Sequence, residues 1–438
     1  HDSQLEILKS GQAGTVRLPA SGCTLTRKSM RSAFVVLHRW FGLFIAVFLF
    51  ISGLTGAVIS WDHEIDEWLN PQLFEARSEG PAQTPQALVA QLEARDPRLQ
   101  VGFMPLYTEP GHAFGVSVKP SVDPATGKAY ALDFNQIVLD PVTGEEQGRR
   151  MWGAVSLSRE NLMPFLYKLH YSLHIPDGFG MELGILLFGI VAIVWTLDCF
   201  IALWLSFPSW RAWRKSFAFR WQQGGYKLNF DLHRSGGVWI WGLLLVLAVT
   251  SVSMNLNVQV TRPLVELFSP LTPSPFASRT PVSLDQQPQP GISRAEAVSL
   301  AAAEATRLGL EKPPGGVFYS PEFDVYGVGF YTAENDHGDG GLGNPWLYLD
   351  GQSGALAGTQ IPGTGSAGDI FMQAQFPLHS GRILGMPGRI LVSLLGLAVA
   401  MLSLTGIVIW AKKRRSRVLS ERRNQHRGLA GQGALPQP

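Results

Sequence analysis

The stretch LHRWFGLFIAVFLFISGLTG, Leu37 to Gly56, sets a histidine and an arginine at the entrance of an apolar run and a threonine near its end. A second stretch, LHRSGGVWIWGLLLVLAVT from Leu232 to Thr250, aligns with it without a gap. Gly42 and Gly237 both stand four residues after the histidine, and Thr55 and Thr250 stand seventeen after it. The chain therefore repeats itself. Two more histidines, His170 in KLHYSLHIP and His379 in FPLHSGRILG, each precede another apolar run and lie twenty-six residues before a threonine, Thr196 and Thr405. A rival register aligns His174 with His379 through Gly180-Met181 and Gly385-Met386. Either His170 or His174 can thus be the partner of His379.

With 438 residues, 46% of them hydrophobic, only 16% charged and 13 Trp, the chain is too apolar for an ordinary soluble enzyme. Four windows approach or exceed the roughly 20 apolar residues that cross a hydrocarbon core of about 30 Å: Phe41–Trp61, Leu183–Phe207, Gly236–Val258 and Ile390–Trp410. Basic residues gather at alternate ends of these windows. Arg27, Lys28 and Arg31 precede the first, Arg211, Arg214, Lys215, Arg220 and Lys227 lie between the second and third, and Lys412, Lys413, Arg414, Arg415 and Arg417 follow the fourth. The positive-inside rule then makes both termini and the middle loop cytoplasmic, with the two long connections outside.

Both connections share a grammar. TPQALVAQLEARD (Thr84–Asp96) reads as a capped helix, VGFMPLY and FGVSVKP alternate as strands, and VLDPVTGEEQGRR turns at Asp140-Pro141 and Gly144. In the second connection SRAEAVSLAAAEATRLGL is the helix, GGVFYS and DVYGVGFYTA are strands, and Asp350 and Gly354 of LYLDGQSGALAG answer Asp140 and Gly144. The polar, glycine-rich ENDHGDGGLGN from Glu334 reads as a mobile surface loop. The fold expected is a membrane α-helical protein: four transmembrane helices in two tandem repeats, with two external α+β domains. Its divisions are a leader or added segment over 1–29, spans over 30–61, 177–207, 233–258 and 379–410, external domains over 62–176 and 259–378, a cytoplasmic loop over 208–232 and a tail over 411–438. Cys23 and Cys199 fall in different environments, so no disulfide is expected and the external domains must fold by burial alone.

Repeated halves packed about a pseudo-twofold axis would bring matching histidines to matching depths. His38 would face His233 near the cytoplasmic surface, and His170 or His174 would face His379 near the outer one. Two imidazoles across a gap between helices are the axial pair of a b-type haem. Zinc is the rival, but it prefers four ligands and each depth offers two or three histidines with no nearby cysteine. His170 and His174, four apart, share a helix face and cannot both be axial from one side. The spacing to Thr196 favours His170, which leaves His174 to line the pocket or meet a substrate. Gly42 and Gly237 would leave room for a porphyrin or pack helices closely. Arg39 and Arg234 would pair with propionates or act as cytoplasmic anchors, and Arg382 and Arg389 are weaker candidates for the same role at the other side. Asp198, inside the second window, would carry a proton, orient a pocket group or bond a neighbouring helix. Trp61, Trp204, Trp210 and Trp410 read as interface residues. No Walker sequence or dinucleotide fingerprint is present, so electrons would come from another molecule. No residue is assigned a catalytic role.

These motifs resemble the PepSY-associated transmembrane family of iron-regulated inner-membrane proteins over about Met30 to Trp410. The residues that carry the resemblance are LHRWFGLFIAVFLFISGLTG, LHYSL and LHSGRILGMPGRILVSLLGLAVAMLSLTGIVIW, with VLDPVTG and LYLDGQSG similar to the DP-x-TG hairpin of PepSY domains. Among members with an assigned activity, the chain is most similar to ferric-siderophore reductases. The resemblance implies a multi-pass protein of the bacterial inner membrane with two haem b groups and periplasmic PepSY-like domains, reducing siderophore-bound Fe(III) in the periplasm. The partners it implies are a ferric siderophore, a cytoplasmic or quinol electron donor and membrane lipid, with no nucleic acid. The competing expectations are a haem-free PepSY protein that binds peptides or regulates a protease, and a permease.

Overall fold

The computed structural model describes residues 27–283 and 286–432. Most of the expected leader lies outside the described residues, as do Cys23 and the side chains of Arg27, Lys28 and Trp210. The first half opens with α1 (Arg27–Ile59), followed by the short α2 (Asp62–Leu69) and α3 (Pro71–Phe74). Next come α4 (Pro85–Arg95), strands β1 (Leu99–Pro105), β2 (Phe114–Pro120), β3 (Gln136–Leu139) and β4 (Glu146–Arg150), then α5 (Leu162–Ser172) and α6 (Leu183–Ser206). The second half repeats the plan. It runs α7 (Gly225–Trp239), α8 (Trp241–Asn255), α9 (Arg262–Glu266), α10 (Arg294–Arg307), β5 (Pro314–Ser320), β6 (Val325–Phe330), β7 (Trp346–Asp350), β8 (Leu356–Gln360), α11 (Ala367–Ser380) and α12 (Met386–Gln432).

Among the described residues three helices, α1, α6 and α12, are long and apolar enough to cross a membrane, and α7 and α8, bent by 72°, make a fourth crossing if they count as one. The expected span over 233–258 thus takes the form of a bent helix pair. The break falls at Ile240, which has left helical geometry (φ −108°, ψ 13°). Ser235, Gly236 and Gly237 lie just before it, the composition at which helices kink. Ser235 Oγ donates to Ala218 O (2.8 Å) and Trp239 Nε1 to Phe217 O (3.0 Å), so α7 is tied to the preceding loop rather than to the axis of α8. The expected span over 379–410 is also divided: His379 belongs to α11, which ends at Gly381 (φ 75°), and the long helix starts at Met386.

α1 and α12 cross at Gly53 and Gly396, where a Cβ on either would stand 2.5–2.6 Å from the other's carbonyl oxygen. Only glycine permits that approach. α8 packs against α6 and α12 through Cys199, Leu244, Leu247, Ala248, Leu395 and Val399.

The two external domains expected from the sequence are one unit. All eight strands form a single antiparallel sheet in the order β4-β3-β2-β1-β5-β6-β7-β8. The halves meet where β1 pairs with β5 (Phe103 opposite Phe318, Met104 opposite Val317). One hydrophobic core serves both halves: Leu88, Val89 and Leu92 of α4 and Ala297, Ala301 and Ala305 of α10 cover the sheet together. The alanines recur every four residues and so form one stripe that brings α10 close to the strands. Arg294 reaches across to Glu93 (3.2 Å) and Val101 O (3.0 Å). Joining edges in this way removes the two open inner edges that separate sheets would expose. The two Asp-Gly hairpins form as expected. Asp140 accepts from the Val142 and Thr143 amides, Asp350 accepts from those of Gln352 and Ser353, and Gly144 and Gly354 take φ of 74° and 71°.

α2 joins sheet to bundle. Its Asp66 pairs with Arg150 of β4 (2.7 Å), and its Glu64 with Arg389 of α12 (2.7 Å). The glycine-rich loop from Glu334 is likewise tied down, contrary to the mobile loop expected. Asn344 donates to the Asn335 and Asp336 carbonyls, and Arg382 donates to Asp339 (2.8 Å).

Candidate functional site

Four imidazoles meet in two pairs, one at each end of α1. At the sheet end, His170 of α5 and His379 of α11 lie with ring centroids 6.2 Å apart and planes at 62°. Each is held from behind by a threonine: Thr55 Oγ1 is 3.1 Å from His170 Nδ1, and Thr250 Oγ1 is 3.0 Å from His379 Nδ1. Both hydroxyls give their proton to their own helix, Thr55 to Ile51 O and Thr250 to Val246 O (2.8 Å each). The hydroxyl oxygens therefore accept Nδ1–H, which leaves the lone pair on Nε2, the tautomer a metal ligand needs. His170 also lies against Gly56, where a Cβ would come 2.9 Å from its Cε1.

At the end nearer the termini, His38 of α1 and His233 of α7 have centroids 6.0 Å apart and planes at 46°. His233 Nδ1 faces Leu402 O (3.0 Å) and Thr405 Oγ1 (3.2 Å), and Thr405 donates to Met401 O (2.8 Å). His38 Nδ1 faces both oxygens of Asp198 (2.9 and 3.0 Å). Carbonyl and carboxylate oxygens only accept, so here too Nδ1 carries the proton. None of the four Nε2 atoms has a hydrogen-bond partner among the described residues.

This geometry fits an iron porphyrin. Two nitrogen–metal bonds of about 2 Å plus two ring radii of about 1.1 Å separate axial imidazole centroids by roughly 6 Å, as both pairs have. Among the described residues no three His, Cys, Asp or Glu side chains gather as a metal-ligand group. Two ligands per site suit a metal whose four equatorial nitrogens come from a macrocycle, and fall short of the four that zinc prefers. His38 and His233 line a cleft of about 730 Å³ together with Gly42, Gly237, Trp195, Arg39, Arg234 and Arg417. That volume is ordinary for a cofactor site.

The other expected residues divide by their partners. Nothing lies within 4 Å of a Cβ built on Gly42, and only Leu402 Cδ2 (3.9 Å) meets one on Gly237, so these glycines open the cleft instead of packing helices together. Arg39 has no ion pair among the described residues, whereas Arg234 is shared between Lys215 O and Asp231. Arg389 is committed to Ser60 O and Glu64 and Arg382 to Asp339, which excludes neither pair's chemistry but removes both arginines as free propionate partners. His174 has left the helix (φ 54°), stacks on Phe165 at 4.6 Å and directs Nε2 to Phe165 O (2.9 Å). His170, not His174, stands opposite His379. Trp61 is more than an interface residue: it donates to Ser393 Oγ and carries Arg389 over its ring.

In the sequence Thr55, Thr250 and Thr405 show only as register marks of the repeat. Their fixed distances from the histidines are the trace of a contact: each threonine holds the histidine of another segment. Gly56 and Gly406 follow two of those threonines and give the imidazoles room, a Cβ on Gly406 standing 3.0 Å from His233 Cε1.

Fold and site together define a polytopic helical protein with two imidazole pairs inside its bundle and a sheet domain at one end. The chain belongs to the family described as the PepSY-associated TM region, which matches residues 35–413. No curated protein matches it.

Proposed function

We propose that the protein is a di-haem b-type reductase of the bacterial inner membrane that moves electrons to Fe(III) held by a siderophore. The observation that carries this reading is the pair of imidazole sandwiches, each with its Nδ1 protons engaged and its Nε2 atoms free. Bound there, haem would supply a one-electron couple at each end of the bundle. His38 and His233 would hold one group and His170 and His379 the other, while Arg39 and Arg234 offer guanidinium charge to carboxylates at the termini end. His38 and Gly56 are eighteen residues apart on one helix, about 27 Å of rise, so the two pairs divide the thickness of a membrane between them.

The basic clusters orient the termini toward the cytoplasm and the sheet toward the periplasm. A cytoplasmic or quinol donor would then serve the His38–His233 end, with the basic segments meeting anionic lipid. The substrate is the siderophore-bound iron at the sheet end, where the loop from Glu334 reaches Arg382, three residues after His379. This choice of acceptor rests on the resemblance to the ferric-siderophore reductase FoxB. One electron converts Fe(III) to Fe(II), which binds hard oxygen ligands less tightly and so leaves an intact chelator.

The test is optical. Purified protein is expected to show a Soret band with about two haems per chain. After anaerobic reduction, a ferric chelate should reoxidise the spectrum while an Fe(II) trap colours. His379→Ala is expected to lower the stoichiometry to one and to abolish that reoxidation. A colourless folded preparation overturns the reading and leaves a haem-free PepSY protein that binds peptides or regulates a protease. Unaltered spectra and rates in the variant overturn the assignment of His379.

A further inference from the structure

The four histidines are held alike except at one place. Three imidazoles rest their Nδ1–H on neutral oxygens: Thr55 for His170, Thr250 for His379, and Thr405 with Leu402 O for His233. By the internal repeat, Thr196 corresponds to Thr405 and should hold His38. It does not. Thr196 Oγ1 donates to Ala192 O (2.8 Å), and the contact passes two residues on to Asp198, both of whose oxygens lie within 3.0 Å of His38 Nδ1. Asp198 is 7% exposed, in the middle of α6, and His38 is its one ion-pair partner among the described residues. A buried carboxylate with a single cationic or donor partner is costly to keep in an apolar bundle, so a threonine there would be the cheaper way to fix an imidazole.

The chemical difference between the two acceptors is charge. A carboxylate behind an axial imidazole draws the Nδ1 proton toward itself and makes Nε2 a stronger donor to metal. A stronger donor favours the higher oxidation state, because the extra positive charge is what it neutralises. A threonine oxygen does this far less. We infer that Asp198 sets the direction of electron flow: it makes the His38–His233 site the more reducing of the two and leaves the threonine-backed His170–His379 site as the more readily reduced. An electron delivered at the termini end then runs downhill to the sheet end. Asp198 is a positioning and tuning residue acting through His38. This inference rests on the haem reading proposed above.

The experiment is a spectroelectrochemical titration of the full-length protein with its haems bound, with electron paramagnetic resonance of the oxidised form. Two waves are expected. His379→Ala, which keeps only the Asp198-backed pair, should retain the lower wave, and His233→Ala should retain the upper. Asp198→Asn preserves a hydrogen-bond acceptor but removes the charge. It should favour reduction of the lower-potential site about tenfold, which is roughly 59 mV for one electron, shift that site's resonance and leave the other unmoved. Asp198→Glu should restore the parental position. If His379→Ala keeps the upper wave, or if Asp198→Asn retains both haems with neither wave displaced, the inference falls while the di-haem reading stands. Should Asp198→Asn shed a haem, the single-site variants still decide the order of the waves. Protein that carries no haem at all overturns both.

Discussion

The two halves of the chain carry the same histidines and deliver them by different backbones. In the first half His38 sits on α1, an unbroken helix of 33 residues that also bears Thr55 and Gly56. In the second, the equivalent His233 sits on α7, which leaves α8 at 72°, so that His233 and Thr250 belong to separate helices. Ring spacing is nevertheless nearly equal at the two ends, 6.0 and 6.2 Å. What the repeat preserves is the facing of the imidazoles at each end, while the helix that carries each one is free to bend. The straight half supplies the rail on which both pairs are mounted, and the bent half closes onto it.

The severest way to break that arrangement is at the rail itself. Gly53 and Gly396 face each other's backbone, and no side-chain motion can make space for a methyl group there. Gly53→Leu or Gly396→Leu is expected to cost more than about 3 kcal/mol and to separate α1 from α12. Unfolding in detergent followed by circular dichroism would measure it. A variant with parental stability would show that the two halves are held elsewhere.

A finer break distinguishes the ends. Gly56→Val should crowd His170 and Gly406→Val should crowd His233, since Cβ atoms there would stand 2.9 and 3.0 Å from the respective Cε1 atoms. The neighbour is the edge of a side chain, so an overpacking cost of about 1–3 kcal/mol is expected, with the fold retained. On the di-haem proposal, each variant should lose one haem: the sheet-end group for Gly56→Val, the termini-end group for Gly406→Val. Pyridine haemochrome stoichiometry reads the number, and double variants with His379→Ala or His233→Ala read which one is lost. Loss of both from a single variant would mean that the ends fold as one unit.

Much of this was legible in the residues. The LHR doublet, the seventeen- and twenty-six-residue spacings and the two Asp-Gly turns follow from periodicity and turn chemistry that act locally. The joined sheet was not legible, because β1 and β5 meet through strands more than 200 residues apart, and each reads equally well as the edge of a small separate sheet. Neither was the break at Ile240: hydropathy sums over a window and cannot register a change of direction. The spacing to Thr196 already favours His170 over His174, whereas the left-handed residues after α5 that turn His174 away are not visible in spacing. Asp198 stands out in the sequence as a charge inside an apolar run, but its partner His38 lies 160 residues away, beyond the reach of any local pattern.

The smallest contrast lies in the sheet, where the equivalent turns of the two halves are not equally braced. Asp140 is held by backbone amides, whereas Asp350 also receives Arg279 Nη2 at 2.7 Å. Burial alone would raise the Asp350 carboxyl, but Arg279 and the Ser353 amide and hydroxyl hold it down at about 2. In the unfolded chain it would titrate near 3.9. Its contribution is therefore complete above about pH 4 and is lost as pH falls through about 2, the sign for a depressed carboxylate. Solvent screens a pair with a quarter of each side chain exposed, so the pH-dependent part is about 1 kcal/mol rather than the full linkage value. Asp350→Asn keeps the turn's amide bonds and gives up the ion pair, and should weaken amide-exchange protection of β7 and β8 at neutral pH more than Asp140→Asn weakens that of β3 and β4. Repeating the measurement near pH 2 should shrink the gap between the two variants. If no gap appears at neutral pH, the brace is Arg279's bonds to the Phe323 and Asp324 carbonyls, which survive in Asp350→Asn.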